Sequence, residues 1–371
     1  MTSFFKDAAL PTLYSAVTFT CIGRLGQFYQ CLSMADQKWD SIRRIPYSAP
    51  GRWVLELDLS GLTFEGAKQA LQLDSLLTQL FPLTPFLRRL SISPSFVMSR
   101  RAVSSLAQRE GALNLRTLEG FSYFPQLSTL PHEDPVVQLF RSCTNIETLD
   151  IIGQGLDSTE LELIFEASAS QDEDSQLHDL DSFVPLNLPS LRTLTLLSMH
   201  RSPLMLALLR SPLPSLQKLT LTPYADIPYP MSLASTFITT HGQKLRSLLL
   251  STPKSWPTRL HPSPVDLLQS CPNLQHLSLE NPLPELILFE NHPLQILSIP
   301  GPISDFWPVL DKLSRYSPRL HVFRTNKVRK LKKGLSSRAQ EAGLQGEIKE
   351  WRRRLMRRGI RVLDVDWNEF D

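Results

Sequence analysis

The stretch Leu274-Gln275-His276-Leu277-Ser278-Leu279 carries apolar side chains at its first, fourth and sixth positions. In an extended chain the fourth and sixth point to one face, and the first closes the turn that feeds the strand. The same spacing recurs at Leu191/Leu194/Leu196, Leu216/Leu219/Leu221, Leu245/Leu248/Leu250 and Leu294/Leu297/Ile299. It also recurs at Val54/Leu57/Leu59, Leu87/Leu90/Ile92, Ile146/Leu149/Ile151 and Ile360/Leu363/Val365, with weaker copies at Leu115/Leu118 and Leu320/Phe323. One such strand cannot bury its own apolar face, so the copies are expected to stack.

Successive copies start 20 to 45 residues apart, and helical patterns fill the intervals. Asp134-Pro135, Ser202-Pro203 and Ser263-Pro264 each place a capping side chain before a proline at the first helical position. Cys271-Pro-Asn-Leu, Leu188-Pro-Ser-Leu and Leu213-Pro-Ser-Leu each stop a helix just before the next strand. The unit is therefore strand, turn, helix and proline stop. It resembles a leucine-rich repeat. The expected fold is α/β: an irregular leucine-rich-repeat-like solenoid over residues 53–371, a curved parallel sheet with helices on its outer face. Irregularity is expected because the Asn or Cys of that repeat, three residues after the third apolar position, is replaced by Leu62, Gln154, Met199, Tyr224, Pro253, Pro282 and Pro302. Asn368 alone fits.

The chain has 371 residues, 42% of them hydrophobic and 20% charged, which describes a folded globular protein and not a disordered one. Its formal net charge of +3 implies no particular partner. Four scattered cysteines, Cys21, Cys31, Cys143 and Cys271, make neither a disulfide framework nor a zinc pattern, which points to a reducing compartment. Neither a signal peptide nor an apolar run of membrane-spanning length is read, so the cytoplasm or nucleus is expected and a membrane is not.

Residues 1–52 read as a helical lead: the end of a helix, an apolar extended segment after Pro11, and a second helix over 22–40 with Leu25, Phe28, Leu32 and Ala35 on one face. Phe5, Ala8, Ala9, Leu10, Pro11, Leu13, Tyr14 and Val17 resemble the closing phrase of an F-box, of the kind common in fungal F-box proteins, whose earlier helices would lie upstream of Met1. This resemblance implies the substrate receptor of a Skp–cullin–F-box ubiquitin ligase. Phe5, Leu10, Pro11, Leu13 and Tyr14 would be the remnant that meets the Skp adaptor, with cullin reached through it, and the repeats would hold a target protein.

No motif for catalysis, phosphate binding or metal ligation is present, so neither an enzyme nor a cofactor is expected. Gly153-Gln-Gly155 lacks a third glycine and reads as a turn after the strand at Ile151. His276 is expected to face away from the core, at the solvent or the rim. Acidic residues cluster only in the polar loop 168–182, and no matched carboxylate pair is read. The longer strand-to-helix turns carry Tyr224, Tyr229 and Trp256, candidates for a partner-binding rim. Residues 327–361 hold 13 Lys+Arg against 3 Asp+Glu. Lys330, Lys332 and Lys333, with Arg352, Arg353 and Arg354, form a candidate basic patch of the nuclear-import or nucleic-acid kind. The simpler reading is a solvated final helix over 337–358, because Leu344, Ile348, Trp351 and Leu355 recur at helical spacing and Gly359 suits a C-cap. Two other functions stay open: a scaffold outside any ligase, and a nuclear protein contacting nucleic acid through 327–358.

Overall fold

The computed structural model describes residues 2–37, 49–124, 133–153, 185–199, 202–222, 233–251, 266–280, 286–287, 291–301, 306–325 and 338–369. The chain forms two compact units, one of residues 1–154 with 168–215, the other of 155–167 with 216–371. The first contains strands β1 (Ala16–Thr18), β2 (Glu56–Leu59), β3 (Arg89–Ile92), β4 (Thr117–Tyr123), β5 (Thr148–Gly153) and β6 (Thr193–Leu197). Helices α1 (Thr2–Ser15), α2 (Ile22–Gln37), α3 (Gly66–Leu80), α4 (Arg100–Gln108), α5 (Pro135–Ser142) and α6 (Pro203–Arg210) belong to the same unit. The second unit contains β7 (Lys218–Leu221), β8 (Ser247–Leu250), β9 (His276–Ser278), β10 (Ile296–Ile299), β11 (Val322–Thr325) and β12 (Arg361–Leu363). Its described helices are α7 (Ala234–His241), α8 (Leu267–Ser270), α9 (Trp307–Tyr316) and α10 (Arg338–Met356). In each unit every strand pairs in parallel with the next in chain order. This is the α/β solenoid order that the repeated phrase predicts. No described helix is long and apolar enough to cross a membrane.

The phrase works as its spacing suggests. Positions four and six, such as Leu90 with Ile92 and Leu277 with Leu279, are buried in every copy but the last, and each buried leucine is worth about 1.5–3 kcal/mol. Position one is anchored by a bond the leucines do not announce. Its amide donates to the carbonyl three residues earlier: Leu87 to Thr84, Leu115 to Ala112, Leu191 to Leu188, Leu245 to Gly242, Leu274 to Cys271 and Leu320 to Ser317. Each acceptor residue is buried as well, so the repeating phrase is longer than six residues. The amides of positions two and three then share one carbonyl of the preceding repeat. Arg88 and Arg89 both donate to Leu55, and Gln275 and His276 both donate to Arg246.

Several expectations are corrected. The α1 helix runs through Pro11 to Ser15, and the extended segment begins only at Ala16. An internal proline disfavours a helix, but packing holds this last turn: the Tyr14 ring lies 6.0 Å from that of Phe28 and 5.9 Å from that of Trp53. β1 pairs with β2, so the array begins inside residues 1–52 and not at residue 53. Gly153 is the last residue of β5 rather than part of a turn, and a Cβ there would collide with the Ser198 carbonyl.

The weak copy at Leu115/Leu118 has a physical cause. Gly120, at φ +67°, opens a bulge that moves Phe121 into the sixth position, opposite Ile151. The final copy is shifted by one residue, because Val362 lies opposite Phe323 and Asp364 takes the sixth position. Asp364 is buried, and its Oδ1 accepts the amides of Asp366 and Asn368, both at 2.8 Å. Asn368 itself is exposed and does not act as the repeat's internal asparagine.

Candidate protein-binding surfaces

Strand-to-helix turns in the first unit build a pocket of about 400 Å³ at one end of β3 and β4. One wall is α3, with Ala70, Leu71 and Asp74; another is the turn Phe96-Val97-Met98-Ser99 leading into α4; the floor is Phe121 to Phe124 with the start of α5. Its lip is apolar and open: Leu71 is 71% exposed, Phe124 57% and Val97 43%. Water-exposed apolar groups gathered around a concavity mark an interaction site more often than scattered ones do.

The polar groups beneath that lip are engaged. Asp134 caps α5, its Oδ1 accepting the amides of Val136 at 2.8 Å and Val137 at 3.1 Å, while its Oδ2 accepts the Tyr123 hydroxyl at 2.7 Å. Burial, then the Asp134 charge, pushes the Tyr123 hydroxyl far above its ordinary pKa. Asp74 accepts the Ser99 amide at 2.7 Å and the Ser99 hydroxyl at 2.6 Å, which ties α3 to the N-cap of α4. The Asp134-Pro135 start signal was legible in the sequence, as was Ser202-Pro203, where the Ser202 hydroxyl accepts the Met205 amide at 3.1 Å. Nothing in the sequence pattern marked Asp74.

The sheet face away from the helices carries the side chains of positions three and five. In the first unit parallel register lines up Asp58, Ser91 and Glu119, with Asp150 on the next strand. The expectation that acidic residues gather only in the loop 168–182 is therefore corrected. Strands about thirty residues apart bring carboxylates together where no local motif exists. Ser91 donates its hydroxyl to Glu119 at 2.9 Å, and the Gly120 amide donates to Asp150 at 3.3 Å. Burial, with the Glu119 charge adding to it, raises the Asp150 pKa despite that amide.

In the second unit the chain covers part of the same face itself. After β12 it turns at Trp367, whose φ is +65°, and Leu363 bridges Glu369 in antiparallel sense. The Arg324 guanidinium lies over the Trp367 ring at 4.5 Å and donates to the carbonyls of Asp364 and Val365. Ser278, Ser298 and Val322 are buried on this side. His276 is consequently not a rim residue. It is half-buried, 3.0 Å from the Ser298 hydroxyl and 3.4 Å from that of Ser247, with its ring 5.9 Å from Trp367. Burial, Arg324 and Lys218 lower its pKa to about 4.

Of the other sequence-predicted residues, Tyr224, Tyr229, Trp256, Lys330, Lys332, Lys333 and the loop 168–182 lie outside the described residues, as does Ser263-Pro264. Phe5, Leu10, Pro11, Leu13 and Tyr14 share α1. Leu13 is 68% exposed, whereas Tyr14 packs inward and meets the Cys31 sulfur at 3.5 Å. The final helix has Ile348, Trp351 and Leu355 buried, and Gly359 at φ +74° ends it. Its arginines are not uniformly free: Arg353 and Arg354 pair with Glu350 at 2.8 and 2.6 Å, and Arg358 pairs with Asp311. Arg354 also lies 5.0 Å from the Trp307 ring. Arg352 is half-buried.

No family model and no curated protein matches the chain. Among the described residues no group of three His, Cys, Asp or Glu side chains is placed to hold a metal ion.

Proposed function

We propose that the chain is a protein-binding repeat module that serves as the substrate-recognition part of a Skp–cullin–F-box ubiquitin ligase. The observation that carries the binding reading is the pocket at the first unit's rim, with Leu71, Val97 and Phe124 exposed around it. The ligase assignment rests on the F-box resemblance of residues 5–17, and the exposed Leu13 on α1 offers the adaptor an apolar contact. Such a receptor does no chemistry; it raises the local concentration of its target beside the ubiquitin-carrying enzyme.

Co-purification with the Skp adaptor tests the ligase assignment, using this chain and a form extended upstream of Met1. Adaptor retained by the extended form, and lost on Leu13→Asp, is the expected result. Absence of the adaptor from both forms sinks the ligase reading and favours a scaffold outside any ligase. The nucleic-acid reading is weaker, because Arg353, Arg354 and Arg358 already have carboxylate partners. Salt-dependent binding to unspecific DNA or RNA, abolished by Arg352→Ala, Arg353→Ala and Arg354→Ala together, would revive it.

A further inference from the structure

We propose that the outward flank of α10 docks an acidic segment of a partner protein, one that sets an apolar residue between its carboxylates. The inference rests on the protein-binding reading and gives it a second surface with its own chemistry. α10 buries Ile348, Trp351 and Leu355, and it turns Arg354 and Arg358 toward α9, where both guanidinium groups lie over the Trp307 ring. Lys349, Arg352, Arg353 and Met356 stand three and four residues apart on the remaining side of the helix, so they share one flank. Arg357 follows them in the turn that ends the helix. Lys349, Arg353, Met356 and Arg357 are exposed, Met356 by 58%, and Arg352 is half-buried.

Carboxylates are too few to balance these cations. Residues 346–358 hold six Lys+Arg against two carboxylates, Glu347 and Glu350. Glu350 is shared between Arg353 at 2.8 Å and Arg354 at 2.6 Å, and Asp311 on α9 is shared between Arg315 and Arg358. Among the described residues Lys349, Arg352 and Arg357 have no carboxylate partner. The negative end of the helix dipole amounts to about half a charge and offsets little of the excess. Like charges four apart, Lys349 with Arg353 and Arg353 with Arg357, also disfavour the helix that carries them. An arriving carboxylate relieves that repulsion as well as making an ion pair. Met356 decides between polyanions. Its thioether, exposed among the cations, offers contact to an apolar side chain, which a sugar–phosphate backbone does not supply. Nor is an aromatic ring free to stack bases here, since Trp351 is buried and the Trp307 ring is covered by two guanidinium groups.

The test is fluorescence anisotropy on the full chain with three labelled probes: an all-Glu dodecapeptide, the same peptide with one central Leu, and an oligothymidine of equal charge. The Leu-containing peptide is expected to bind most tightly. Lys349→Gln with Arg357→Gln should weaken both peptides about fivefold or more. Met356→Gln should abolish the advantage of the Leu-containing peptide and leave the all-Glu peptide unchanged. Lys244→Gln with Arg246→Gln makes the same change of charge at exposed cations away from α10, and it should leave every probe unchanged. All five positions are exposed, and a thermal melt confirms that each variant folds.

Oligothymidine bound as tightly as the Leu-containing peptide overturns the proposal in favour of an unselective polyanion surface. A Leu-containing peptide no tighter than the all-Glu one, or no peptide binding at all, overturns it as well. Equal losses in the Lys244 and Arg246 variant would assign the effect to net charge and not to this flank, with the same consequence. None of these outcomes bears on adaptor co-purification or on the rim pocket, so the protein-binding reading stands or falls separately.

Discussion

The two units are built from the same strand phrase, yet they present different surfaces. In the first, the sheet face opposite the helices is weighted toward acid, with Glu56 exposed and Asp58, Glu119 and Asp150 half-buried on its strands. In the second, the residues after β12 fold over β9 to β11, and Trp367 and Arg324 close what would otherwise be the same kind of face. The leucines at positions four and six are common to both and carry the fold. Positions three and five, and whatever chain crosses them, decide what chemistry that face of each unit shows. Buried core and exposed chemistry are thus encoded on opposite faces of the same strands.

The largest test of that division is a pair of substitutions in β5. Leu149→Ala removes a fully buried side chain and should cost about 2–5 kcal/mol in denaturant unfolding, whereas Thr148→Ala on the open face should cost under about 0.5 kcal/mol. Similar costs for the two would break the distinction between faces. Next, Asp364→Ala removes the acceptor for the amides of Asp366 and Asn368 from a buried position. Its expected cost is about 2–3 kcal/mol, and hydrogen exchange should quicken along β11 and β12 while β2 to β5 stay unchanged.

A smaller effect separates the units by pH. The folded chain keeps His276 neutral down to about pH 4, while an unfolded chain takes up that proton near pH 6.5. Between these values the unfolded state binds more protons, so stability falls as the pH drops. The expected loss from His276 between pH 7 and pH 5 is about 1–2 kcal/mol, and His276→Asn should remove that part of the slope. His292, whose pKa burial also lowers, contributes with the same sign and remains in the variant. An unchanged slope in His276→Asn would show that the covering of the second unit's face is looser than described.

The smallest effect concerns the turns. Asn114 donates its amide to the Pro85 carbonyl at 3.1 Å, Asn145 to that of Leu113 at 3.0 Å and Asn273 to that of Gln243 at 2.8 Å. Each asparagine stands immediately before position one of its phrase. Asn145→Ala in the first unit and Asn273→Ala in the second should each cost about 0.5–1.5 kcal/mol in thermal unfolding. A cost in one unit alone would show that the turns, unlike the leucines, are not shared.

These asparagines also show what was legible and what was not. The leucine spacing exposed the strands because burial demands one chemistry at positions four and six. In most copies the residue three before position one is equally buried, but Thr84, Ala112, Cys143, Leu188, Gly242 and Ser317 share no chemistry, only a turn that must fit. Regular repeats place their asparagine after the strand, and here Asn114, Asn145 and Asn273 lie before it. Asn-Leu at 114–115 and 273–274 and Asn-Ile at 145–146 carried that signal openly. In the first unit, Arg109 fills a related role from a helix end, donating to the carbonyls of Thr84 at 2.9 Å and Leu87 at 3.0 Å, and no spacing rule would have found it. The rim pocket was not legible: the turns expected to bind carry Tyr224, Tyr229 and Trp256, outside the described residues, and this lip forms from residues 71, 97 and 124, which meet only in the fold. The acid row of the first unit was hidden for the same reason.

Carboxyl footprinting of the intact chain in native buffer tests the contrast between the units most directly. Labelling with a carbodiimide and an amine should modify Glu56, on the open face of the first unit, quickly, and leave Asp364, beneath the turn of the second, protected along with the buried Asp134. Asp364 labelled as fast as Glu56 would contradict the account.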